Sequence, residues 1–460
     1  MPTTIDDGSA PRVPPASPQS AAPPEPSGVP FTDDGRLHDV LVVGGGPAGS
    51  SCAYWLADAG WDVVLVEKKQ FPREKTCGDG LTPRAVRQLQ DMGLAGALAG
   101  AHRYDGLRTC GYGRQLELVW PAHPAFPPHG YVITRHDLDQ VVAERAAKAG
   151  TTVWQGVEAL RPLVEEPRTA DGVSSSGLRP CAGAEVRDKS TGKTAEVRAR
   201  YVVVADGANS RFGRALGTER QRSWPMGMAL RGYYRSPRHD DPFIESHLDV
   251  RDTSGAVVPG YAWIFPLGDG RVNVGVGLLS VAGRWKGVNT SSLMDTFVAG
   301  APGSWGLSPD TACGPPTGGR LPMGLAVGPR VGATVLAIGD ASGTINPFNG
   351  EGIAYGYETG RLAAGCVGRA LAGAGTNALA EYEPLLQEAY GLYYQVARDF
   401  VQLLSQPHVM HACIRLGMHS HSLMALVLRV MANLMRPDEL GAAEAAYVGL
   451  ASATRLLHRP

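Results

Sequence analysis

Aliphatic residues gather into three uninterrupted runs, and each run ends in a glycine-containing turn. The runs are "HDVLVVGGG" from His38, "ARYVVVADGANS" from Ala199 and "ATVLAIGDASG" from Ala333. This composition is typical of strands that are buried on both faces of a parallel sheet. After the first run, "PAGSSCAYWLADAG" predicts a helix and "WDVVLVE" predicts a second buried strand. The pattern therefore predicts an α/β fold with a parallel sheet that opens with a βαβ unit.

Two further patterns extend this picture. In "RHDLDQVVAERAAKAG", the apolar residues Leu138, Val141, Val142 and Ala146 recur at helical spacing, which predicts another helix. Between about 218 and 330, apolar and polar residues alternate instead, as in "ESHLDV" and in "GYAWIFPLGDGRVNVGVGL", whose "GDG" suits a hairpin turn. We expect this region to form a separate antiparallel sheet.

These segments predict the division of the chain. Residues 38–217 form the first part of a Rossmann-like nucleotide-binding domain with β insertions, and residues 331–375 close that domain. Residues 218–330 form an inserted antiparallel-sheet substrate domain, and 376–460 form a C-terminal helical region. Residues 1–37 contain nine prolines and few large aliphatic residues, a composition that predicts a disordered tail.

Composition excludes several classes of function. The 43 basic and 44 acidic residues give a net charge of −1, so nucleic acid is not expected as a partner. Seven cysteines without CxxC spacing favour a reducing compartment, and we expect a cytoplasmic protein. No apolar run approaches the roughly 20 residues of a membrane span, so any contact with a membrane would be peripheral, at its inner face. Histidines near the C-terminus lack a recognisable set of partner ligands, and no metal is predicted.

The first turn carries a nucleotide-binding motif. Gly44, Gly46 and Gly49 form G-x-G-x-x-G between strand and helix, with Ala48 in the helix that follows, and Glu67 ends the next strand. Such glycines let the backbone approach a pyrophosphate at the helix N-terminus, and the acid accepts a hydrogen bond from a ribose hydroxyl. A carboxylate would repel the 2′-phosphate of NADP, which leaves FAD or NAD.

Two later stretches decide between these cofactors. One is "VVVADGANSRFGR", with Asp206 and Gly207; the other is "VLAIGDASGTINPFNGEGIAYGYETGRLA". In the second, Asp340 ends a strand, and Gly350, Gly352 and Ile353 lead into a helix whose N-terminus suits the pyrimidine edge of a flavin. Together the three stretches resemble the FAD-dependent monooxygenase superfamily of the glutathione-reductase type, which implies FAD. The resemblance also implies that Arg135 lies against the flavin, although a surface charge at a helix start is an alternative.

More specific motifs narrow the resemblance. "PREKTCGDGLTPRAV", "GYAWIFPLGDGRVNVGVGL" and "GGRLPMG" together resemble the geranylgeranyl reductase family, over residues from about 38 to 375. Members of this family are flavoproteins that saturate isolated double bonds in polyprenyl chains. The resemblance implies an FAD-dependent oxidoreductase acting on CH–CH bonds, with a polyprenyl lipid as substrate. The alanine, glycine and arginine usage suggests a bacterial chain, so the isoprenoid tail of menaquinone is the first choice and a geranylgeranyl diphosphate or lipid the second.

The same resemblance suggests catalytic residues. It places Cys77 and Gly78 in a loop beside the flavin, where the thiol would donate a proton or act as a gate, and a packing role is the alternative. Tyr261, Trp263 and Phe265 alternate along one strand and so share one face. They line a prenyl tunnel or belong to an ordinary sheet core.

Other features leave alternatives open. Arg73, Lys75, Arg84 and Arg87 hold a diphosphate, contact FAD or form a solvated basic face, and the last is preferred. The apolar stripe in "HSLMALVLRVMANLMRP" packs on a domain or lies in a membrane surface. The electron donor is NAD(P)H or a small redox protein, because no second nucleotide motif is evident. The rival functions are a flavin monooxygenase that uses NAD(P)H and oxygen, and a prenyl-lipid carrier without catalysis.

Overall fold

The computed structural model describes residues 31–32, 35–165, 177–280 and 288–436, together with 441, 444–445, 447–449 and 452. Most of the predicted tail, 1–30 and 33–34, lies outside the described residues. The strands in chain order are β1 (Leu37–Val43), β2 (Val63–Glu67), β3 (Gly80–Leu81), β4 (His102–Tyr104), β5 (Gly106–Gly111), β6 (Arg114–Val119), β7 (Gly130–Val132), β8 (Thr152–Gln155), β9 (Val157–Val164), β10 (Cys181–Asp188), β11 (Thr194–Val204), β12 (Glu219–Arg220), β13 (Met226–Arg235), β14 (Phe243–His247), β15 (Gly260–Pro266), β16 (Arg271–Ser280), β17 (Thr317–Pro322), β18 (Val327–Gly328) and β19 (Val335–Ala337). The helices are α1 (Pro47–Asp58), α2 (Pro83–Asp91), α3 (Arg135–Lys148), α4 (Arg211–Leu216), α5 (Thr290–Gly300), α6 (Ile353–Arg369), α7 (Asn377–Ala380), α8 (Tyr382–Leu386), α9 (Leu392–Leu404), α10 (Pro407–Gly417) and α11 (His421–Met431).

The three predicted buried strands meet in one parallel sheet. The strand order is β8-β2-β1-β11, and β19 runs parallel to the end of β11. Strands β10 and β9 extend the sheet in antiparallel fashion beyond the first half of β11. The predicted Rossmann-like α/β fold is confirmed.

Side-chain alternation along β1 explains how this sheet is covered. Val40 and Val42 point to one face, where they join the core formed with α1, α3 and α6. Leu41 and Val43 point to the other face, against Trp154 and the apolar residues of β10 and β11. Burial of each such side chain stabilises the fold by roughly 1.5–3 kcal/mol, so the apolar run from Val40 to Val43 suits a sheet covered on both sides.

Small residues bring α6 and the glycine turn after β19 into close contact with the start of α1. A Cβ atom at Gly360 of α6 would overlap the carbonyl oxygen of Ala48 in α1, so these helices cross in close contact. Gly339, just after β19, has φ +56°, and a Cβ there would lie 2.6 Å from the Cβ of Ala48. Close packing at these glycines places the turn after β19 beside the first turn of α1.

The second large sheet has the order β17-β13-β16-β15-β14-β5-β6. Its neighbours are antiparallel except β14 and β5, which run parallel. The predicted antiparallel sheet is thus present, but it also includes β5 and β6, which the sequence analysis assigned to the nucleotide-binding part. Their membership depends on the pairing of Phe243–His247 with residues 106–110, a long-range contact that local sequence patterns do not encode.

Helix α11 packs on this second sheet, whereas α7, α8 and α9 contribute to the core of the first sheet. Met424 and Leu428 of α11 join a cluster with Leu118 and Trp120 from the β6 region, and Phe265 packs against the same cluster. The apolar stripe of α11 is therefore at least partly buried in the protein. Within the part of the chain that the structure describes, no helix is long and apolar enough to cross a membrane.

Candidate active site

A cavity of about 690 Å³ is bordered by residues of both large sheets, within the usual range of roughly 300–1,000 Å³ for ligand sites. All the residues predicted for the site except Gly49 line it. These are Gly44, Gly46, Ala48, Glu67, Cys77, Gly78, Arg135, Asp206, Gly207, Tyr261, Trp263, Phe265, Asp340, Gly350, Gly352 and Ile353. The fold thus brings motifs that are about 300 residues apart in sequence to one continuous space.

The glycines of the first turn have separate roles. Gly44 has φ +108°, and Gly49 packs so closely that a Cβ there would overlap the Gly44 carbonyl oxygen. Gly49 therefore serves the contact of helix with strand rather than the cavity wall. A Cβ at Gly46 would meet nothing nearer than Arg73 Nη2 at 3.9 Å. Its missing side chain leaves open space before the N-terminus of α1, as a pyrophosphate requires.

Glu67 closes this turn from the end of β2. Its Oε2 accepts a hydrogen bond from the Gly45 N–H at 3.0 Å, and its Oε1 accepts one from the Lys69 N–H at 3.0 Å. Arg73 Nη2 lies 3.3 Å from the same Oε2. The carboxylate is buried and is held at the cavity wall in a fixed orientation.

A buried ion network supports the wall next to Glu67. Arg135 donates to both oxygens of Asp139, from Nε and Nη2, each at 2.7 Å. Arg73 Nη1 lies 3.0 Å from Asp139 Oδ2, so one carboxylate compensates two guanidinium groups. The alternative of a surface charge for Arg135 is wrong, because that residue is buried.

The proposed solvated basic face is also wrong for two of its members. The Arg73 side chain is 9 % exposed and pairs with Glu67 and Asp139. Arg84 is 14 % exposed and pairs with Glu358 at 2.9 Å. The sequence analysis did not single out Asp139 and Glu358 and did not pair Glu67 with Arg73, because the partners come from different elements; ion pairing removes the two cations from a shared surface.

The two later glycine-containing turns, after β11 and after β19, present acids to the cavity. Asp206 Oδ2 accepts a hydrogen bond from the Phe212 N–H at 3.2 Å, while its buried Oδ1 has no hydrogen-bond partner among the described residues. Burial raises the pKa of this carboxyl. Asp340 Oδ1 would lie 3.3 Å from a Cβ at Gly352, so the start of α6 closely approaches it. An acceptor oxygen without a partner among the described residues and a cavity lined by glycines fit a ligand that carries hydroxyl groups and phosphates, as FAD does.

The aromatic residues of β15 form one face of the cavity. The Tyr261 and Trp263 ring centroids are 5.7 Å apart, and those of Trp263 and Phe265 are 6.2 Å apart. A Cβ at Gly275 of the neighbouring strand would overlap the Trp263 ring, so that glycine makes room for the indole. These rings lie at a cavity wall, and Phe265 also packs against the cluster that includes α11.

The loop containing Cys77 faces this aromatic strand. A Cβ at Gly78 would lie 3.1 Å from Phe265 and 3.4 Å from Trp263 Nε1, so the backbone passes directly over both rings. Burial raises the pKa of the Cys77 thiol, against the opposing effect of the Arg135 charge. The sulfur is therefore a protonated thiol at neutral pH.

The sequence analysis missed three residues at this loop that are connected by hydrogen bonds: Asp79, Tyr233 and Asn273. Asp79 Oδ2 accepts hydrogen bonds from the Tyr233 hydroxyl at 2.6 Å and from Asn273 Nδ2 at 2.8 Å. Burial raises the pKa of the Asp79 carboxyl to about 6. The only local signal was an aspartate between two glycines, which also suits an ordinary turn.

A second missed acid is Glu351, between Gly350 and Gly352. Its Oε1 accepts a hydrogen bond from the Thr82 hydroxyl, and its Oε2 is buried without a hydrogen-bond partner among the described residues. Burial raises its pKa to about 7. Two carboxyl groups that titrate near neutral pH thus lie close to the cavity.

One group of potential metal ligands occurs among the described residues, formed by Cys110, Glu245 and His247. Glu245 accepts hydrogen bonds from Trp305 Nε1 at 2.9 Å and lies 3.4 Å from Arg108 Nη1. His247 Nε2 lies 2.8 Å from the same carboxylate. Protein groups thus already satisfy the carboxylate, and the cluster lies outside the cavity.

Comparisons with known proteins agree with this geometry. Residues 38–246 match the family model described as FAD binding domain. The chain is 41% identical over 401 residues to a menaquinone reductase of Mycolicibacterium smegmatis, covering 87% of this chain and 93% of the relative. It is 39% identical over 425 residues to a menaquinone reductase of Mycobacterium tuberculosis, covering 92% of this chain and 97% of the relative.

More distant relatives follow the same line. A digeranylgeranylglycerophospholipid reductase of Methanopyrus kandleri is 30% identical over 380 residues, covering 80% of this chain and 91% of the relative. A solved structure from Thermoplasma acidophilum, a geranylgeranyl bacteriochlorophyll reductase-like protein, superposes with a TM-score of 0.69 at 24% identity, over 92% of this chain and 98% of that one. A flavin-dependent brominase has a TM-score of 0.67 at 19% identity, over 92% of this chain and all of that one, and shares the fold.

The FAD binding domain and the reductase relatives define an FAD-dependent oxidoreductase. The chain belongs to the geranylgeranyl reductase family, the FAD-dependent reductases of polyprenyl chains, and its menaquinone reductase relatives lie in the same group. The family predicted from the sequence motifs is confirmed.

Proposed function

We propose that this enzyme saturates one or more C=C bonds in the isoprenoid tail of menaquinone. The support is the 41% and 39% identity to menaquinone reductases over nearly their whole length. A geranylgeranyl diphosphate or lipid is the second choice, since relatives at 30% identity are named for a digeranylgeranyl lipid.

The observation that carries the proposal is that the aromatic residues of β15 and the three glycine-containing stretches predicted to bind FAD border the same cavity. An isolated trisubstituted alkene is not electrophilic, so hydride cannot add to it without a proton. Reduced FAD, when bound, supplies the hydride. The protein must then exclude water, hold the alkene and provide the proton.

The chain offers residues for binding FAD. Gly44, Gly46 and Ala48 would hold the pyrophosphate at the start of α1, and Glu67 would bind the ribose of the adenosine. Asp206, Gly207 and Asp340 suit the hydroxyl-bearing part of the cofactor, and Gly350, Gly352 and Ile353 suit the ring edge. Arg135 and Gly78 border the same space.

The aromatic face suits the alkene. Trp263 is 4 % exposed, and the rings of Tyr261 and Phe265 flank it along the strand. Together these rings exclude water from the reacting bond. Their faces also stabilise positive charge that develops at a tertiary carbon during protonation.

Cys77 is our candidate for proton delivery or for gating. Its raised pKa keeps the proton on sulfur at neutral pH, so the thiol is able to donate. A thiol is a weak acid for an alkene, with an unperturbed pKa of about 8.5, so its closeness to the reacting carbon would have to compensate. A packing role without proton transfer is the alternative that mutation separates.

We further propose that the enzyme works at the inner face of the cell membrane, where menaquinone tails lie. Exposed apolar side chains at Leu403 and Leu416, on α9 and α10, are consistent with peripheral contact. The electron donor is NAD(P)H or a small redox protein.

The test is mass spectrometry of menaquinones and other polyprenyl lipids from cells that express this chain. Cells expressing Asp340→Ala, a variant designed to weaken FAD binding, are the control. We expect a gain of two hydrogens per saturated unit in menaquinone, absent from the control. An unchanged lipid profile from a yellow, FAD-loaded protein with reductant present would contradict the proposal and favour an oxygen-dependent monooxygenase, whereas a colourless protein that cannot be reconstituted would favour a lipid carrier.

A further inference from the structure

Asn273 of β16 joins the two catalytic candidates through its side chain. Its Oδ1 accepts a hydrogen bond from Trp263 Nε1 at 2.9 Å. Its Nδ2 donates to the Cys77 carbonyl oxygen at 2.9 Å and to Asp79 Oδ2 at 2.8 Å. The residue is fully buried, and these three bonds fix which way its amide points.

Asp79 provides the second half of this connection. Its Oδ2 also accepts from the Tyr233 hydroxyl at 2.6 Å, and its Oδ1 accepts from the Arg135 N–H at 3.2 Å. The residue has φ +65°, a left-handed conformation that L-residues other than asparagine and aspartate seldom adopt. The strained turn is held by hydrogen bonds from three separate elements, β13, β16 and the start of α3.

We propose that the buried Asn273 and Asp79 and the half-buried Tyr233 form a clamp that positions the Cys77 loop against Trp263. None of the three lines the cavity, so each acts through another residue and is a positioning residue. The clamp sets the width of the slot between the thiol and the indole, and thereby the alignment of the alkene with the proton donor.

The hydrogen-bond donors and acceptors around positions 79 and 273 support this assignment. A carboxylate at position 79 offers acceptors to every donor that faces it, whereas an amide would turn its NH2 group either toward the Arg135 backbone N–H or toward the Tyr233 and Asn273 donors. A leucine or alanine at 273 would leave the Trp263 N–H and the Cys77 carbonyl unsatisfied in a buried site, which is costly. An ordinary sheet core would not need this set of matched polar groups.

The inference rests on the proposed function only where it predicts kcat for polyprenyl reduction. The test therefore also measures how accessible the Cys77 thiol is to a reagent. Asn273→Ala and Tyr233→Phe are compared with Tyr234→Phe, the adjacent tyrosine that packs in the separate core beneath α5. Full-length FAD-loaded protein is treated with iodoacetamide, and labelling of Cys77 is followed by peptide mass spectrometry. Labelling of the exposed Cys413 in the same molecules corrects for differences in reagent concentration and reactivity.

We expect Cys77 in Asn273→Ala to be labelled about tenfold faster relative to Cys413, because the variant loses the two hydrogen bonds that Asn273 donates to the Cys77 loop. We expect kcat to fall about tenfold, with KM nearly unchanged and FAD content retained. Tyr233→Phe should show the same changes to a smaller extent, and Tyr234→Phe should match the parent protein.

The outcomes separate the clamp from the proposed function. Unchanged Cys77 labelling and kcat in both clamp variants would overturn the clamp, even if the parent reduces menaquinone. Faster labelling in a protein that never reduces a polyprenyl lipid would retain the clamp and reject the proposed function. If Asn273→Ala does not fold, Tyr233→Phe, which removes one oxygen atom, decides the question.

Discussion

Asp139 holds Arg135 through two hydrogen bonds of 2.7 Å each, and it also lies 3.0 Å from Arg73. Asp139 is 2 % exposed, and the sequence analysis did not single it out. One carboxylate thus neutralises two cations in the wall of the cavity. Loss of that charge removes the ion-pair partner of the buried Arg135 and leaves Arg73 with Glu67 as its remaining carboxylate among the described residues.

We expect Asp139→Asn to lower the free energy of unfolding by about 3 kcal/mol, the usual cost of breaking a buried ion pair. Asp137→Asn is the matched control, since Asp137 lies on the same helix with a side chain 59% exposed, and it should cost less than about 1 kcal/mol. Chemical denaturation of both variants measures the difference. Equal stability of the two would show that Asp139 does not carry the network.

The glycines of the first turn should separate folding from cofactor binding. Gly49→Ala introduces a Cβ that overlaps the Gly44 carbonyl oxygen, so we expect a loss of at least about 3 kcal/mol in stability. Gly46→Ala meets open space in the cavity, so it should keep stability and weaken FAD binding at least about tenfold. Gly96→Ala, with nothing within 4 Å of its Cβ, is the control. Thermal melting and FAD titration measure the two properties, and normal FAD affinity in Gly46→Ala would contradict its assignment to the pyrophosphate.

Cys77→Ser should retain FAD but reduce polyprenyl lipid at least about tenfold more slowly, because a serine hydroxyl is a far weaker acid than a thiol. Product analysis by mass spectrometry and the visible spectrum of bound flavin give the two measurements. Cys413→Ser, at an exposed thiol of α10, should behave like the parent. Full activity of Cys77→Ser would assign Cys77 to packing alone.

The Trp263 ring depends on a missing side chain opposite it. Gly275→Ala would place a Cβ within the indole, whereas Gly277→Ala would place one 3.6 Å from the same ring, an ordinary contact. We expect Gly275→Ala to lower kcat/KM about tenfold or more with FAD retained, because a displaced indole no longer borders the alkene. Gly277→Ala should cause a clearly smaller loss. Comparable activities would mean that the position of Trp263 does not limit turnover.

Glu351 should make stability depend on pH. Its pKa rises from the ordinary 4.5 to about 7 because burial disfavours the charged form. For an acid with a raised pKa, the stability contributed by the neutral form is present below about pH 4.5 and is lost as the pH rises to about 7.

Glu351→Gln, which keeps the neutral form at every pH, should therefore exceed the parent in stability by roughly 3 kcal/mol at pH 8 and by much less at pH 5. Denaturation at the two pH values measures this difference. Glu388→Gln, at an exposed position, should show no such dependence. A parent and Gln variant that change in parallel from pH 5 to 8 would contradict the raised pKa of Glu351.

The local motifs predicted much of the site from the sequence. Gly44 and Gly46 of the G-x-G-x-x-G turn, the acids at 67, 206 and 340 and the aromatic residues of β15 line one cavity, as expected. These features are local: a glycine turn between a strand and a helix, or alternation along one strand, constrains its own neighbourhood. Burial patterns also identified the parallel strands, because such strands need apolar residues on both faces.

The sequence by itself determined the nucleotide-binding turn, the family and the side of β15 that carries the rings. Only the tertiary structure decided that β5 and β6 join the second sheet, that Asp139 neutralises two arginines and that Asn273 links Trp263 to the Cys77 loop. Arg135 and Asp139 lie only 4 residues apart on α3, but the other partners come from separate elements, up to about 200 residues apart. Their chemistry depends on burial and on donors and acceptors that meet only in the folded chain, and no local pattern of residues specifies which distant groups will meet.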